Sequence, residues 1–457
     1  MGKHETVKPG DARCPGPSTR DIILGDPTAS PPALTEEAYE FLGDADLSYD
    51  AYIDPAYHTA EMEKMWPKTW QMACREEHIP DPGDSIVYDV GYHSVLVIRQ
   101  KDSSIKAFIN ACPHRGMQLQ PCGARTNDKT LRCPFHGFTF GNDGALLKVP
   151  CEWDFPHIEK ERFGLDEIHV GQWGGFVFIN MDDEPKPLHD YLEVMPRHFT
   201  DWPLEKRHLS LHVEKILPAN WKLALEAFLE AYHVLATHPE GLPTAGDANA
   251  QYDVFGPNTS RFVHTIGYPS PHLKGNRSQK AILKALGGDD LGLSLEEGQS
   301  AREVYAEHLR GKLGEMMGVD LSGVSISEMM DSIEYFCFPN FVVFPGVALP
   351  MVYRFRPNGD DMDTCIFDLM FLSMTPEGQT PPRAPDPVHL GVDDKFETVA
   401  ALDPFLAYIY EQDVDNLLQQ TRGIKASRKK GQTLGNYQEV RIRRMRMTLD
   451  EYLNPQP

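Results

Sequence analysis

The stretch from Asn220 to Pro239 has apolar residues at three- and four-residue steps, a spacing typical of an amphipathic helix. Its two histidines, His233 and His238, are separated by about 140° around a helix of ~3.6 residues per turn. For both imidazoles to reach one point, the helix must bulge or end between them, and Pro239 favours an end. The pattern therefore predicts a helix that is interrupted near its histidines.

A different pattern precedes this stretch, with short β-prone runs separated by Gly, Asn, Asp and Ser turns. Such closely spaced short strands predict an all-β sandwich or small barrel. The runs are Trp70–Cys74, Ser85–Asp89, Ser94–Arg99, Ile105–Asn110, Phe138–Phe140 and Phe176–Asn180.

Beyond about residue 185, strand-like and helical patterns are mixed. Strands are predicted at Leu209–Lys215 and within 251–266 and 333–374, and helices at Gln279–Met316, Ile326–Met330 and Phe405–Arg422. Gly-rich breaks are predicted at Gly287-Gly288 and Gly318. The tail from 423 is basic up to Arg446 and ends in Pro-Gln-Pro.

These patterns predict an α+β fold with an all-β domain and a mixed α/β domain, the latter an antiparallel sheet flanked by helices. We place an N-terminal arm with a short helix near Glu36–Phe41 in residues 1–46, the all-β domain in 47–180 and the mixed domain in 181–457. The segment 275–330 is predicted to be a lid, a pocket wall or a structural insertion.

Composition narrows the class of protein. The formal charge of −23 argues against binding to nucleic acid or to an anionic membrane. No apolar run reaches the ~20 residues needed to span a bilayer. Eight cysteines in 457 residues do not form a disulfide framework. We expect a cytoplasmic protein.

Two short boxes of Cys and His residues carry metal chemistry. Cys112 and His114 form the first box, and Cys133 and His136 the second. A Cys2His2 zinc site usually groups its cysteines together, whereas here each box contributes one Cys and one His. That split suits a [2Fe-2S] cluster with two thiolates on one iron and two imidazoles on the other. Zinc remains the alternative.

The helical stretch carries a second set of candidate ligands. Besides its histidines it contains Glu226 and Glu230. Two neutral imidazoles plus a carboxylate, with coordination positions left open, are typical of non-haem Fe(II) oxygenases.

The chain as a whole resembles the large (α) subunit of Rieske non-haem iron aromatic-ring-hydroxylating oxygenases over residues 47–425. Phe138 stands where that family usually has Trp. The resemblance rests on Asn110–Gly116, Cys133–Phe138, Asn142–Gly144, Gly174–Phe178, Asn220–Lys222, Tyr232-His233, His238-Pro239 and Phe338–Asn340.

This resemblance implies roles for individual residues. His233, His238 and Asp413 would bind Fe(II), with Asp415 as the runner-up carboxylate. Glu230, where the family usually has Asp, would bridge an iron histidine and a Rieske histidine of a neighbouring subunit, and so predicts a homotrimer. The substrate pocket would include Ala227, Phe228 and Ala231, and the strand around Phe341–Phe344.

The function implied is that of a terminal oxygenase component. It would use O2 and electrons from NAD(P)H, delivered by a separate flavin reductase and/or ferredoxin, to hydroxylate or dihydroxylate a hydrophobic, aromatic or polycyclic, substrate at mononuclear Fe(II). The resemblance leaves open monooxygenation, demethylation and a small β subunit. The alternatives are a Rieske electron-transfer protein and a binding protein with a structural zinc module.

Overall fold

The computed structural model describes residues 7–455, and they form the predicted α+β fold. The first six residues of the predicted arm, and residues 456–457, lie outside the described range. Two large sheets dominate, with the all-β part preceding the mixed part along the chain. The predicted fold class is therefore confirmed.

The all-β part contains a seven-stranded sheet in which every neighbouring pair is antiparallel. Its strands read, across the sheet, Gln71–Arg75, Phe176–Asn180, Glu167–Trp173, Ile105–Ile109, His93–Arg99, Asp84–Val90 and Arg125–Asn127. A smaller sheet consists of Thr130–Arg132, Thr139–Gly141 and Leu146–Lys148.

The mixed part is built on an eight-stranded sheet. All its pairs are antiparallel except the last, which is parallel. Across the sheet the strands are Gln251–Val254, Thr259–His264, Ser332–Cys337, Phe341–Val343, Met351–Asn358, Asp361–Met374, Arg207–Leu217 and Val388–Leu390. A two-stranded pairing joins Leu47–Ser48 to Gly431–Gln432.

Helices flank this sheet, as predicted. The α-helices are Thr19–Gly25, Asp50–Ile53, Pro55–Ala60, Leu188–Tyr191, Met195–His198, Trp221–Glu226, Val234–Thr237, Gln279–Ala285, Ala301–Met317, Ile326–Met330, Pro404–Ala426 and Val440–Leu453. In residues 7–455, no helix combines the length and apolar character required to cross a bilayer.

One helix prediction is wrong. The helix near Glu36–Phe41 is absent, because the turn lies earlier, at Pro32–Thr35, and the chain is then extended. The break predicted at Gly287-Gly288 is present, because the chain turns at Gly287 with φ +84 and so divides the segment 279–316 into two helices. The basic tail contains the helix Val440–Leu453, which its sequence pattern did not predict.

One apolar core reaches from the all-β part to the helices beside the second sheet. It contains Val95 and Val97 of the first sheet together with Phe355 and Phe367 of the second. Trp221, at the start of the predicted histidine helix, is fully buried in it. The core therefore anchors that stretch from one end.

Candidate functional site

The two Cys/His boxes fold into loops of the same construction. In the first, the Cys112 N–H donates to the Met117 carbonyl, and the Gly116 N–H donates to the Cys112 carbonyl, both at 2.8 Å. In the second, the Cys133 N–H donates to Phe138 at 2.8 Å, and the Gly137 N–H to Cys133 at 3.0 Å. Both glycines have positive φ, +73 and +78, a conformation that side chains rarely adopt. Each loop therefore turns back just after its His.

The loops bring the four predicted cluster ligands together in a form that fits a metal cluster. The rings of His114 and His136 lie 4.7 Å apart, and the Nδ1 atoms of both are buried without a hydrogen-bond partner. The Cys112 and Cys133 thiols are buried beside each other. A buried polar atom left unpaired costs about 1–3 kcal/mol, so two such nitrogens indicate a missing partner. Two thiols and two imidazoles supply the donor set of a Rieske [2Fe-2S] cluster.

The surroundings keep one of these imidazoles neutral, the form that ligates iron. Burial, followed by the neighbouring His136 and Arg115, lowers the pKa of His114. Phe138 stacks on the His114 ring, with 4.5 Å between centroids and an angle of 12°. The phenylalanine that departs from the usual family Trp thus still covers a cluster histidine.

The histidine stretch is an interrupted helix, as predicted. The Asn220 side chain caps a helix that ends at Glu226, and a second, short helix starts after His233. Between them the chain forms turns. A first interruption thus lies before His233, and the second helix ends at Thr237, between the two histidines as predicted.

Asp413 lies opposite both histidines on the helix Pro404–Ala426, which we call the carboxylate helix. Its Oδ1 is 3.1 Å from Nε2 of His238 and 3.6 Å from Nε2 of His233. The ligand atoms of the three residues lie within 4.8 Å of one another. Asp415, the runner-up, is exposed. The observed group is thus two imidazoles and one buried carboxylate, a donor set that fits Fe(II).

Side chains behind the imidazoles orient them. Glu230 Oε1 lies 2.7 Å from Nδ1 of His233, and Glu230 Oε2 accepts the backbone N–H of the same residue at 3.0 Å. Gln412 Oε1 lies 2.7 Å from Nδ1 of His238. With both Nδ1 atoms engaged, the Nε2 atoms face Asp413. Sequence reasoning missed Gln412, although it is the residue directly before Asp413.

Charge around the site favours a cation. Burial lowers the pKa of His233, but the carboxylates of Glu230 and Asp413 outweigh it and raise that pKa to about 9. A divalent ion would compete with a proton for His233, so its binding would be pH-dependent.

A cavity of about 180 Å³ adjoins the group. Ala227, one of the residues predicted for the substrate pocket, lines this cavity. Phe228 points instead into an aromatic cluster and Ala231 packs near Tyr252 and Leu242, and neither lines this cavity. The lining is Leu223, Glu226, Ala227, Glu230, His233, Asp413, Asn416, Leu417, Gln420, Gln432, Leu434, Glu439 and Ile442.

The aromatic cluster lies between the eight-stranded sheet and the carboxylate helix. Phe228 is 5.4 Å from Tyr353 and 5.6 Å from Phe367, between ring centroids. Tyr410, one helical turn before Asp413, hydrogen-bonds through its hydroxyl to that of Tyr353 at 2.7 Å. Of the predicted pocket strand, Phe344 contacts this cluster through Tyr353.

A buried ion pair holds the first helix of the histidine stretch, Trp221–Glu226, in place. Nζ of Lys222 lies 2.6 Å from Glu61, and both side chains are fully buried. The Trp221 indole N–H donates to the same carboxylate at 3.1 Å. Sequence reasoning did not find this contact, because it joins residues far apart along the chain.

Comparison with known families agrees with this geometry. Residues 69–159 match the Rieske [2Fe-2S] domain, and residues 197–454 match the ring hydroxylating alpha subunit (catalytic domain). The chain belongs to the ring-hydroxylating oxygenase α-subunit family. The family resemblance and the two metal cofactors that it implies are thereby confirmed, and the zinc alternative is disfavoured.

Individual relatives of this ring-hydroxylating α subunit differ in what they act on. It is 34% identical over 199 residues to the chlorobenzene dioxygenase subunit alpha of a Cupriavidus species, covering 42% of this chain and 44% of that protein. It is 32% identical over 231 residues to the glycine betaine monooxygenase oxygenase subunit of Pseudomonas aeruginosa, covering 50% and 52%. The chain spans about half the length of the curated relatives it matches.

Solved structures share the fold over most of their length. A quaternary ammonium Rieske monooxygenase in complex with L-carnitine superposes with a TM-score of 0.62 at 18% identity, covering 90% of this chain and 96% of that one. Naphthalene 1,2-dioxygenase with bound indole gives 0.60 at 19% identity, covering 90% and 93%.

Proposed function

We propose that this protein is the terminal component of an oxygenase system that hydroxylates or dihydroxylates a hydrophobic substrate. It would use O2 and NAD(P)H-derived electrons delivered by a separate ferredoxin or flavin reductase. The observation that carries the proposal is the convergence of Nε2 of His233, Nε2 of His238 and Oδ1 of Asp413. Three ligands on one side of a metal leave other positions free.

The residues have separate tasks in this proposal. The triad would hold the iron, which would supply O2 activation, and the two Cys/His loops would hold the cluster, which would supply one electron at a time. Asp413 contributes the charge that retains a divalent ion. Glu230 holds the Nδ1 side of His233, so that only Nε2 is free to bind metal.

We propose that Glu230 also accepts an N–H from a Rieske histidine of a neighbouring subunit, within a homotrimer. A carboxylate has about four lone-pair sites, and within residues 7–455 only two hydrogen bonds, both from His233, use them. The domain division 1–46, 47–180 and 181–457 remains a proposal, and the two family matches fall inside its bounds.

We infer an aromatic or polycyclic substrate. The relatives named as chlorobenzene and naphthalene dioxygenases support this.

A second candidate is a monooxygenase or demethylase acting on a quaternary ammonium compound. The specific observation in its favour is that the cavity beside the triad is lined by three carboxylates besides Asp413, namely Glu226, Glu230 and Glu439. Carboxylates and aromatic faces both attract a cation. Relatives are named as glycine betaine and carnitine monooxygenases.

The deciding experiment is turnover of iron-loaded protein with a surrogate reductase and NADH. The substrate panel holds aromatic acids, polycyclic hydrocarbons, terpenoids, L-carnitine and glycine betaine, and products are identified by mass with 18O2. We expect labelled product from an apolar aromatic, and none from the Asp413→Ala variant. Labelled product only from the ammonium compounds would establish the second candidate. A reducible cluster without any labelled product would favour an electron-transfer protein.

A further inference from the structure

The two imidazoles of the triad rest on chemically different partners. His233 is backed by the carboxylate of Glu230, whereas His238 is backed by the amide of Gln412. The amide is held at both ends, since its Nε2 donates to the Tyr408 hydroxyl at 3.1 Å while its Oε1 faces His238 at 2.7 Å. In this orientation both ends of the amide have a hydrogen-bond partner, with the oxygen towards the imidazole.

The orientation of the amide determines the tautomer of the imidazole. An amide oxygen only accepts hydrogen bonds, so Nδ1 of His238 must carry the ring proton. The lone pair of a neutral imidazole then lies on Nε2, which is 3.1 Å from Asp413 Oδ1. The opposite amide orientation would put the proton on Nε2 and prevent that nitrogen from binding a metal. His238 is buried, so water does not readily replace the amide.

Because the amide is neutral, it also affects the net charge of the metal-loaded site. Asp413 and Glu230 already supply two negative charges at the site, which match one divalent ion. A second carboxylate behind His238 would make the loaded site net negative and would favour the ferric state over the ferrous one. A neutral partner orients the ring without that effect.

We propose that Gln412 is a positioning residue: it holds His238 as the Nδ1–H tautomer and keeps the loaded iron site free of a third negative charge. This inference rests on the metal site of the proposed function. Gln412 does not touch the metal; it acts through His238.

The first test measures Co(II) affinity of the full chain by optical titration. Gln412→Leu removes the acceptor at similar volume and should weaken binding about 10–100-fold. The matched control is Gln419→Leu, two turns later on the carboxylate helix, where the same type of side chain is exposed and lies outside the cavity lining. It should stay within about twofold of wild type. The cluster absorption of each variant reports that the chain is folded.

The second test separates charge from orientation. Gln412→Glu still accepts from Nδ1, so it should bind Co(II) at least as tightly as wild type. With iron bound, it should lower the midpoint potential of the Fe(III)/Fe(II) couple, a readout that a merely structural role would not move.

Two results would overturn the proposal: Co(II) affinity of Gln412→Leu within about twofold of wild type, or a Gln412→Glu potential equal to or above the wild-type value. A different result would be that the wild type binds Co(II) no more tightly than Asp413→Ala. That result would show that the triad is not a metal site, and it would refute the proposed function as well.

Discussion

Replacing Arg441 with Met should destabilise the protein by an amount that depends on pH. Arg441 is fully buried, and its Nη2 lies 2.8 Å from Glu334 Oε1. Its Nη1 donates to the Leu229 carbonyl at 3.0 Å, and its Nε donates to Ser260 Oγ at 3.1 Å. This side chain therefore connects the C-terminal helix to the residue directly before Glu230.

The size of the loss in folding stability depends on the protonation state of Glu334. Burial raises its pKa to about 7, although Arg441 opposes the shift. Below pH 7 the carboxyl is therefore largely protonated in both proteins, and the variant loses mainly its two other hydrogen bonds, at about 1 kcal/mol each. Above pH 7, Glu334 ionises in the wild type but is held protonated in the variant, where its pKa is higher still.

The sign of the pH dependence follows from linkage. A carboxyl whose folded pKa exceeds its unfolded value loses stability as pH rises, until the pH passes the folded pKa. The wild type stops losing stability near pH 7, whereas the variant continues at about 1.4 kcal/mol per pH unit. At about pH 8.5 the total loss should reach about 3–5 kcal/mol, the range for breaking a buried ion pair.

Urea unfolding at about pH 6 and about pH 8.5, with the slope checked for constancy, measures both losses. Adding Glu334→Gln to the variant removes the titrating group, so the extra loss at high pH should disappear. An equal loss at both pH values, or an extra loss that persists in the double variant, would refute the reasoning.

Three further outcomes are expected. Asp413→Ala should reduce iron from about three to about two per chain while the cluster absorption is unchanged; metal analysis showing equal iron would contradict its role as a ligand. Glu230→Ala should keep both metal centres yet sharply reduce product in the turnover assay, whereas loss of the mononuclear iron would make it a ligand. Phe367→Ala should cost about 3–5 kcal/mol in urea unfolding, because its buried ring stacks on Phe355 at 4.6 Å. The exposed Phe135→Ala is its control and should change stability little.

The cluster site could be predicted because its ligands lie in short sequence patterns. Cys112 and His114 share one loop, as do Cys133 and His136, and the turn of each loop follows from local hydrogen bonds and a glycine. Strands of the all-β part were predictable for the same reason, since β-branched runs and turn residues alternate over a few positions. Information of this kind is present in a window of a few residues.

Which aspartate belongs to the iron site could be decided only from the tertiary structure. Asp413 and Asp415 have equivalent chemistry, and only the packing of the carboxylate helix buries one and exposes the other. Gln412 meets His238 across 174 residues of sequence, a pairing that no local pattern encodes.

The sequence alone determined the family, the fold class and the candidate donor groups, because these depend on residue types at short spacing. Tertiary structure alone decided that the helix Val440–Leu453 forms and buries Arg441 and Arg446, residues whose charge predicts exposure. Charged side chains are buried only where a partner compensates their lost hydration. Glu334 provides that partner for Arg441 from a distant strand. Such compensation is a property of the assembled fold, and it supports the segment that carries Glu230 and His233.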